Sequence, residues 1–194
     1  MAVYEILLEK SGDLAVADDV APGWYICNAP YGLTLLGTAL CVKTPAVGAS
    51  IMIDIEKSTN GTSWSSIFGA PFLYGTHDYP DNSATLYDSD GGFTQDLVGL
   101  IIDNVSDGSS GLISAVSGTT ITATLTGGTG NDWDTTDGYT IAIAGGIQSG
   151  EYIGVGGTPT VTELNQGELL RLDIEQCGPT TAGADLTVSL RVRQ

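Results

Sequence analysis

Alternation of apolar and polar residues is the main pattern of this chain, and two distant stretches share it almost letter for letter. Residues 51–57 read Ile-Met-Ile-Asp-Ile-Glu-Lys, and residues 170–176 read Leu-Arg-Leu-Asp-Ile-Glu-Gln. Side chains along a strand point to opposite faces with period two, so the apolar residues of each stretch share one face. The pattern predicts two strands of one antiparallel sheet, each with a buried face and a solvent-exposed face.

The same alternation predicts further short strands along the chain. We expect them at residues 23–27, 33–42, 63–68, 100–105, 111–116, 121–125, 139–143 and 186–192. The pair Asn60 and Gly61 is the favoured sequence for a tight hairpin turn after the first of the matching strands. Residues 1–10 carry only a weak apolar stripe at helical spacing. The sequence therefore predicts an all-β fold.

The length and spacing of the predicted strands change twice along the chain, and these changes divide it into three parts. We interpret residues 1–22 as an N-terminal arm or edge strand. Residues 23–82 and 147–194 are expected to form a discontinuous β-sandwich, and residues 83–146 a small inserted β-barrel or meander module. Asp18, Asp19 and Pro22 mark the end of the first part as a turn. The inserted module has four short strands at intervals of about ten residues, which is typical of a small barrel or meander.

Composition narrows the classes of partner. The chain has 194 residues, of which 42% are hydrophobic and 15% charged, so it is globular. Its 23 acidic and 6 basic residues give a formal net charge of -17. Such a surface repels phosphate backbones and anionic membranes, so neither a nucleic acid nor a membrane is expected as a partner. High acidity is also a common route to solubility.

The spacing of the cysteines and the first ten residues indicate the cellular compartment in which the chain is made. Cys27, Cys41 and Cys177 form an odd set without close spacing, which favours buried free thiols in a reducing cytosol and leaves one distant disulfide open. Residues 1–10 carry no basic leader, so we do not expect a secretory signal. The longest apolar region, residues 33–42, is too short to span a bilayer.

Several stretches resemble a β-sandwich domain of tailed-bacteriophage virion surface proteins, which occurs in head decoration proteins, fibres and baseplate parts. The resemblance lies in residues 44–57 with 60–62, and in residues 167–176 with 181–191. Residues 107–139 look like a second short β unit that is also frequent in phage structural proteins. The resemblance implies a jelly-roll-like antiparallel β-sandwich interrupted by the inserted module, a trimeric assembly and no catalytic residues.

The length of the chain favours one of these virion parts over the others. Fibres are typically much longer and carry repeats or coiled-coil shafts, and neither is visible here. We therefore expect a non-enzymatic capsid decoration, or cement, protein, made in the host cytoplasm and set on the outer capsid surface. Its expected partners are the major capsid protein and itself, as a homotrimer. The alternative is a receptor- or glycan-binding module of a tail fibre or baseplate, with a host surface glycan as partner.

One acidic loop is a candidate calcium site. Asp132, Asp134 and Asp137 lie within residues 131–138, and calcium prefers six to eight oxygen ligands. The loop departs from the helical calcium-loop pattern, because its third acid falls one place late and Ile143 stands where a bidentate Glu is needed. We therefore interpret it as an ordinary solvated turn and predict no metal and no cofactor.

Paired carboxylates raise the question of glycoside hydrolysis. Asp54 with Glu56, and Asp173 with Glu175, instead occupy alternate positions on the predicted solvent-exposed face of their strands. Arg171 lies on the same kind of face and can pair with an acid across the strands. We interpret these acids as sheet-surface electrostatics rather than as catalytic groups.

The lone histidine and the aromatic residues complete the candidates. His77 has no nucleophile elbow to serve, so we expect it at the surface or in a contact. Trp64, Tyr79 and Trp133 fall in or near predicted loops and are candidate contact residues. Exposed aromatic side chains on a β-sandwich can stack on sugar rings, whereas the more ordinary roles are core packing and subunit contact.

Overall fold

The chain is all-β, as predicted: its regular structure consists of antiparallel strands with almost no helix. The computed structural model describes residues 2–17, 20 and 24–194, so the turn predicted at Asp18, Asp19 and Pro22 lies outside the described residues. The strands are β1 Val3–Asp13, β2 Tyr25–Ile26, β3 Leu33–Thr44, β4 Ile51–Ser58, β5 Ser65–Ser66, β6 Phe72–Thr76, β7 Thr85–Tyr87, β8 Ile101–Asn104, β9 Ser109–Ser117, β10 Thr120–Ala123, β11 Gly138–Ala142, β12 Gly145–Ile147, β13 Ile153–Gly156, β14 Glu163–Leu164, β15 Leu169–Gln176 and β16 Ala184–Arg193. A 3-10 helix, Gln95–Leu97, precedes β8.

The larger sheet has ten strands and curls into a nearly closed, barrel-like sandwich around one apolar core. Its order is β1-β16-β3-β13-β12-β4-β15-β2, with β14 beside β3 and β5 beside β4. The N-terminal strand β1 lies at one end of this order, where it pairs antiparallel with β16. The first residues therefore form a strand and not a helix.

The two matching stretches are neighbours in the larger sheet. They form β4 and β15, which pair antiparallel with Ile53 opposite Ile174 and Ile55 opposite Leu172. All four side chains are buried in the sandwich core, as the period-two alternation predicted. The predicted hairpin is also confirmed, because β5 returns antiparallel to β4 after the turn at Gly61. The positive φ of this glycine is a conformation that other residues rarely adopt.

The second sheet has six strands in the order β6-β11-β8-β9-β10-β7 and encloses its own apolar core. It spans residues 72–142, so it begins eleven residues before the predicted insert boundary at 83, because β6 joins it and not the sandwich. Trp133 is the largest fully buried side chain, and Ile102, Ile121 and Ile141 are buried in the same core.

Buried and partly buried hydrogen bonds join the two sheets. Asp103 on β8 accepts hydrogen bonds from the Ser50 Oγ, at 2.7 Å, and from the Gln176 Nε2. Gln148 donates from its Nε2 to the Ser110 carbonyl oxygen, at 3.1 Å. The second sheet is therefore fixed against the sandwich by specific polar contacts across the junction.

The cysteines are free thiols, with Cys27 buried, Cys177 half-buried and Cys41 exposed. The expectation that all are buried is therefore wrong for Cys41, whose side chain lies on the outer face of β3. Across the described ranges, residues 2–17 and 24–194, there is no helix long and apolar enough to cross a membrane.

Truncating the core at the paired strands should be costly. Leu172 is fully buried, so Leu172→Ala should lower the free energy of unfolding by about 2–5 kcal/mol through lost burial and a residual cavity. Val105 is half exposed, and Val105→Ala should change the free energy of unfolding by less than about 0.5 kcal/mol. Urea titration followed by tryptophan fluorescence measures both. Equal losses in the two variants would contradict this placement of the core.

Candidate functional site

The face of β4 and β15 that points away from the core carries the acids of the matching stretches. Strand pairing sets Asp54 directly opposite Asp173, and Glu56 opposite Arg171. The prediction that these acids lie on a solvent-exposed face is wrong for the first pair, since Asp54 is 4% and Asp173 2% exposed. Glu56 is half-buried, and only Glu175 of the four acids is exposed.

The reason is that other segments cover this face. Strand β5, the following loop and β6 line a groove of about 640 Å³ together with the acids of β4 and β15. The acids Asp54, Glu56 and Glu175 line it from the sandwich, and Phe72 and Tyr74 line it from β6. Whether a strand face is covered in this way depends on where the second sheet packs, and the alternation along a single strand does not encode that position.

Arg171 organises the centre of the acidic face. Its Nε donates to the Glu56 Oε2 at 2.8 Å, and its Nη2 lies 2.5 Å from the same oxygen and 3.2 Å from the Asp173 Oδ2. The cross-strand ion pair predicted for Arg171 is therefore confirmed. Its guanidinium also lies over the Trp64 ring, 4.8 Å from the centroid, and Trp64 packs edge-on against Trp24 at 5.2 Å. These contacts hold the arginine and the tryptophan in one arrangement.

Asp54 is a strongly perturbed acid of the groove. Burial raises its pKa to about 7 from the ordinary 3.8, and the nearby charges of Glu56 and Asp173 push it in the same direction. The Ser66 Oγ donates to the Asp54 Oδ1 at 2.8 Å and opposes part of that rise. Near neutral pH this carboxyl group is therefore present in both protonation states and can donate as well as accept a hydrogen bond.

Asp103 is a second buried carboxyl group, at the junction of the sheets. Burial raises its pKa to about 6, while hydrogen bonds from Ser50 and Gln176 oppose the rise. It contacts both sheets and lines a smaller cavity of about 250 Å³ together with Asn104 and Cys177. Its contacts make it a structural link between the sheets.

The three calcium candidates hold their own loop together. Asp137 accepts hydrogen bonds at its Oδ2 from the Asn104 Nδ2, at 2.7 Å, and from the Asp134 backbone N–H, at 2.9 Å. Asp134 accepts at its Oδ1 from the Asn82 N–H, and the Asp132 carbonyl oxygen accepts from the Asn104 Nδ2. Within the described residues, no three His, Cys, Asp or Glu side chains are grouped to hold a metal ion.

The three contact candidates lie in three different settings. Trp64 borders the groove, and Tyr79 is 58% exposed and packs on Tyr87 with ring centroids 4.7 Å apart. Trp133 is fully buried in the core of the second sheet, so its prediction as a contact residue is wrong. Its loop looked exposed because the run around it is rich in Asp, Thr and Gly, whereas the indole itself fills the core.

His77 is likewise internal and not a surface residue, with only 1% of its area exposed. Its Nδ1 accepts a hydrogen bond from the Tyr87 N–H at 2.9 Å, so its Nε2 carries the proton and donates to the Pro80 carbonyl oxygen at 3.0 Å. Both ring nitrogens are therefore used to fix the loop that leads into β7.

Phe72 and Tyr74 were not identified as groove residues from the sequence. The alternating order Phe-Leu-Tyr at residues 72–74 was a usable signal, because it places both aromatic rings on one face of a strand. The strands that line the groove are β4, β5 and β6, which follow one another in the chain, and the distant strand β15. The approach of β6 to the acids of β4 and β15 therefore depends on the packing of the two sheets.

Comparisons with known proteins identify no relative. A scan against protein-family models finds no match, and neither the curated proteins nor the solved structures contain one. The fold and the groove define the chain as an all-β protein of two antiparallel sheets with an acidic, aromatic-lined groove. Any statement about its function therefore rests on its own residues and on the resemblance described above.

Burial of Asp54 predicts a specific pH dependence of stability. The pKa of Asp54 is raised in the folded state, so its protonated carboxyl group contributes to the free energy of unfolding. This contribution is complete below about pH 4 and is lost as the pH rises through 7. Asp54→Asn should therefore be more stable than the wild type at pH 8, by about 1–4 kcal/mol, and should lose this advantage at pH 4. Urea titrations across this pH range measure the difference.

Ser66→Ala provides the companion variant. It removes the donor that favours the ionised carboxylate, so it should destabilise the protein more at pH 8 than at pH 4. Residual pH dependence in Asp54→Asn is expected from Asp103, whose pKa is raised in the same direction. A parallel pH profile for Asp54→Asn and the wild type would contradict the prediction.

Proposed function

We propose that this chain is a non-enzymatic structural protein of a tailed-phage virion. It acts as a capsid decoration, or cement, protein that binds the major capsid protein on the outer capsid surface and stabilises the shell. The resemblance of its strands to phage virion surface domains supports the proposal, and so does its all-β fold. The observation that carries it is a sheet edge with exposed apolar side chains.

That edge belongs to β1, the strand at one end of the larger sheet. Within the described residues β1 pairs on one side only, with β16. Ile6 and Leu8 are buried in the core, whereas Val3 and Leu7 are each 57% exposed. A long edge strand presents unpaired N–H and C=O groups and is a template for a strand of another chain. We assign this edge to the contact between copies in a homotrimer.

A second apolar patch spans both sheets. Ile153 on β13 is 77% exposed and pairs with Cys41 of β3, which is exposed as well. Leu112 on β9 of the second sheet is 46% exposed and lines the same shallow depression as Ile153. A protein that both self-associates and attaches to a shell needs two separate contact surfaces. We assign this patch to the capsid.

The charge of the chain suits the outer side of a capsid. A formal net charge of -17 repels nucleic acid, so the packaged genome is not its partner. On the outer surface the same charge keeps the exposed parts soluble.

Placing a charge on the β1 edge should block assembly without unfolding the chain. Leu7→Asp should convert the trimer to monomer and weaken capsid binding by at least about tenfold, because an unpaired carboxylate would be buried in the contact. Val98→Asp, at an exposed apolar residue in the turn between the 3-10 helix and β8, is the matched control and should assemble normally. Light scattering after size-exclusion chromatography gives the mass of each species. A monomeric wild type, or a trimeric Leu7→Asp, would refute the assignment of this edge.

The function itself is tested by mixing the purified protein with undecorated capsids. We expect stoichiometric binding and a rise in the temperature at which the capsids open. Absence of binding, or binding without a gain in heat resistance, would overturn the proposal. Localisation of the labelled protein to the tail instead of the head would favour the receptor- or glycan-binding alternative.

A further inference from the structure

We propose that the groove between the acidic sheet face and β6 is a carbohydrate-binding site for a neutral oligosaccharide. Phe72 and Tyr74 form an aromatic wall on one side, Trp64 stands at the groove, and Glu56 and Glu175 provide carboxylates. This assignment is independent of the virion location proposed above, because it concerns a separate surface of the purified protein.

The aromatic wall is built for stacking. Phe72 and Tyr74 are two residues apart on β6, so their rings lie on the same side of the strand, with centroids 6.1 Å apart. Tyr74 leaves 66% of its area exposed, although burial of an aromatic residue is favourable. The C–H faces of a sugar ring are apolar and pack on such rings, while the tyrosine hydroxyl remains free to bond with solvent or ligand.

The acidic floor is preorganised. Arg171 holds Glu56 through two contacts to one carboxylate oxygen, and Ser66 holds Asp54 through a hydrogen bond. Carboxylates fixed in this way accept hydrogen bonds from neighbouring hydroxyl groups without losing side-chain freedom on binding. The groove volume of about 640 Å³ falls within the range of about 300–1,000 Å³ found for small-molecule sites.

A cationic ligand is the obvious competitor for an acidic groove, and two observations disfavour it. Arg171 already supplies a cation to Glu56, to Asp173 and to the face of Trp64, so these partners are satisfied within the chain. Burial also raises the pKa of Asp54 to about 7, which lowers the negative charge of the floor near neutral pH. A ligand with many hydroxyl groups and no charge therefore fits the remaining surface better than an ammonium or guanidinium group.

The test uses an array of neutral oligosaccharides built from hexoses and N-acetylhexosamines, followed by calorimetry on each hit. We expect at least one member to bind, and Tyr74→Ala and Trp64→Ala to weaken that binding at least about tenfold. Tyr31→Ala is the matched control, since Tyr31 is 93% exposed and lies outside the groove. Tyr74→Ala removes an exposed side chain, so it keeps the test valid if Trp64→Ala disturbs folding.

Three results would contradict carbohydrate binding in this groove. No binding anywhere on the array, or equal losses in Tyr74→Ala and Tyr31→Ala, would overturn the proposal. An octalysine peptide is run in parallel as the cationic probe. Binding of this peptide in a manner that depends on Tyr74, with no saccharide bound, would also overturn it and reassign the groove to basic ligands.

Discussion

The register between β4 and β15 sets both the sandwich core and the acidic face on its other side. Its register places four isoleucine and leucine side chains in the sandwich core and, by the period of two, forces the acids onto the opposite face. A slip of one residue would exchange the faces and bury Asp54 and Asp173 against the apolar core. Because that exchange is so unfavourable, the register is strongly specified, and both the sandwich and the acidic face follow from it.

The second sheet gives this acidic face its chemical character. An exposed face of alternating acids would carry carboxylates with ordinary solvation, whereas β5 and β6 cover part of it and remove water from Asp54. The cost of that burial is offset only in part by the Ser66 hydrogen bond, while Arg171 forms ion pairs with the neighbouring acids Glu56 and Asp173. At the junction, Asp103 joins the two sheets through hydrogen bonds from both sides of its carboxyl group. Desolvated acids therefore occur where the two sheets meet.

The surfaces that remain open are of two kinds. The β1 edge and the patch around Ile153 are apolar and suit contact with other protein chains, whereas the groove combines aromatic rings with carboxylates and suits a small polar ligand. The groove and the β1 edge are formed by different strands, so assembly and ligand binding need not compete. The proposed assembly contact and the proposed carbohydrate site therefore use separate surfaces.

Alternation and turn residues were enough to predict the all-β class, the matching strands, their hairpin and the cross-strand pairing of Arg171, because these features depend on the period of two and on local turn chemistry. The burial of Asp54, Trp133 and His77 instead follows from the way in which the sheets and loops pack. The same packing brings Tyr74 to the groove that the acids of β4 and β15 line. The physical reason is the same in each case: alternation tells which side chains share a face, but what covers that face depends on how two sheets pack.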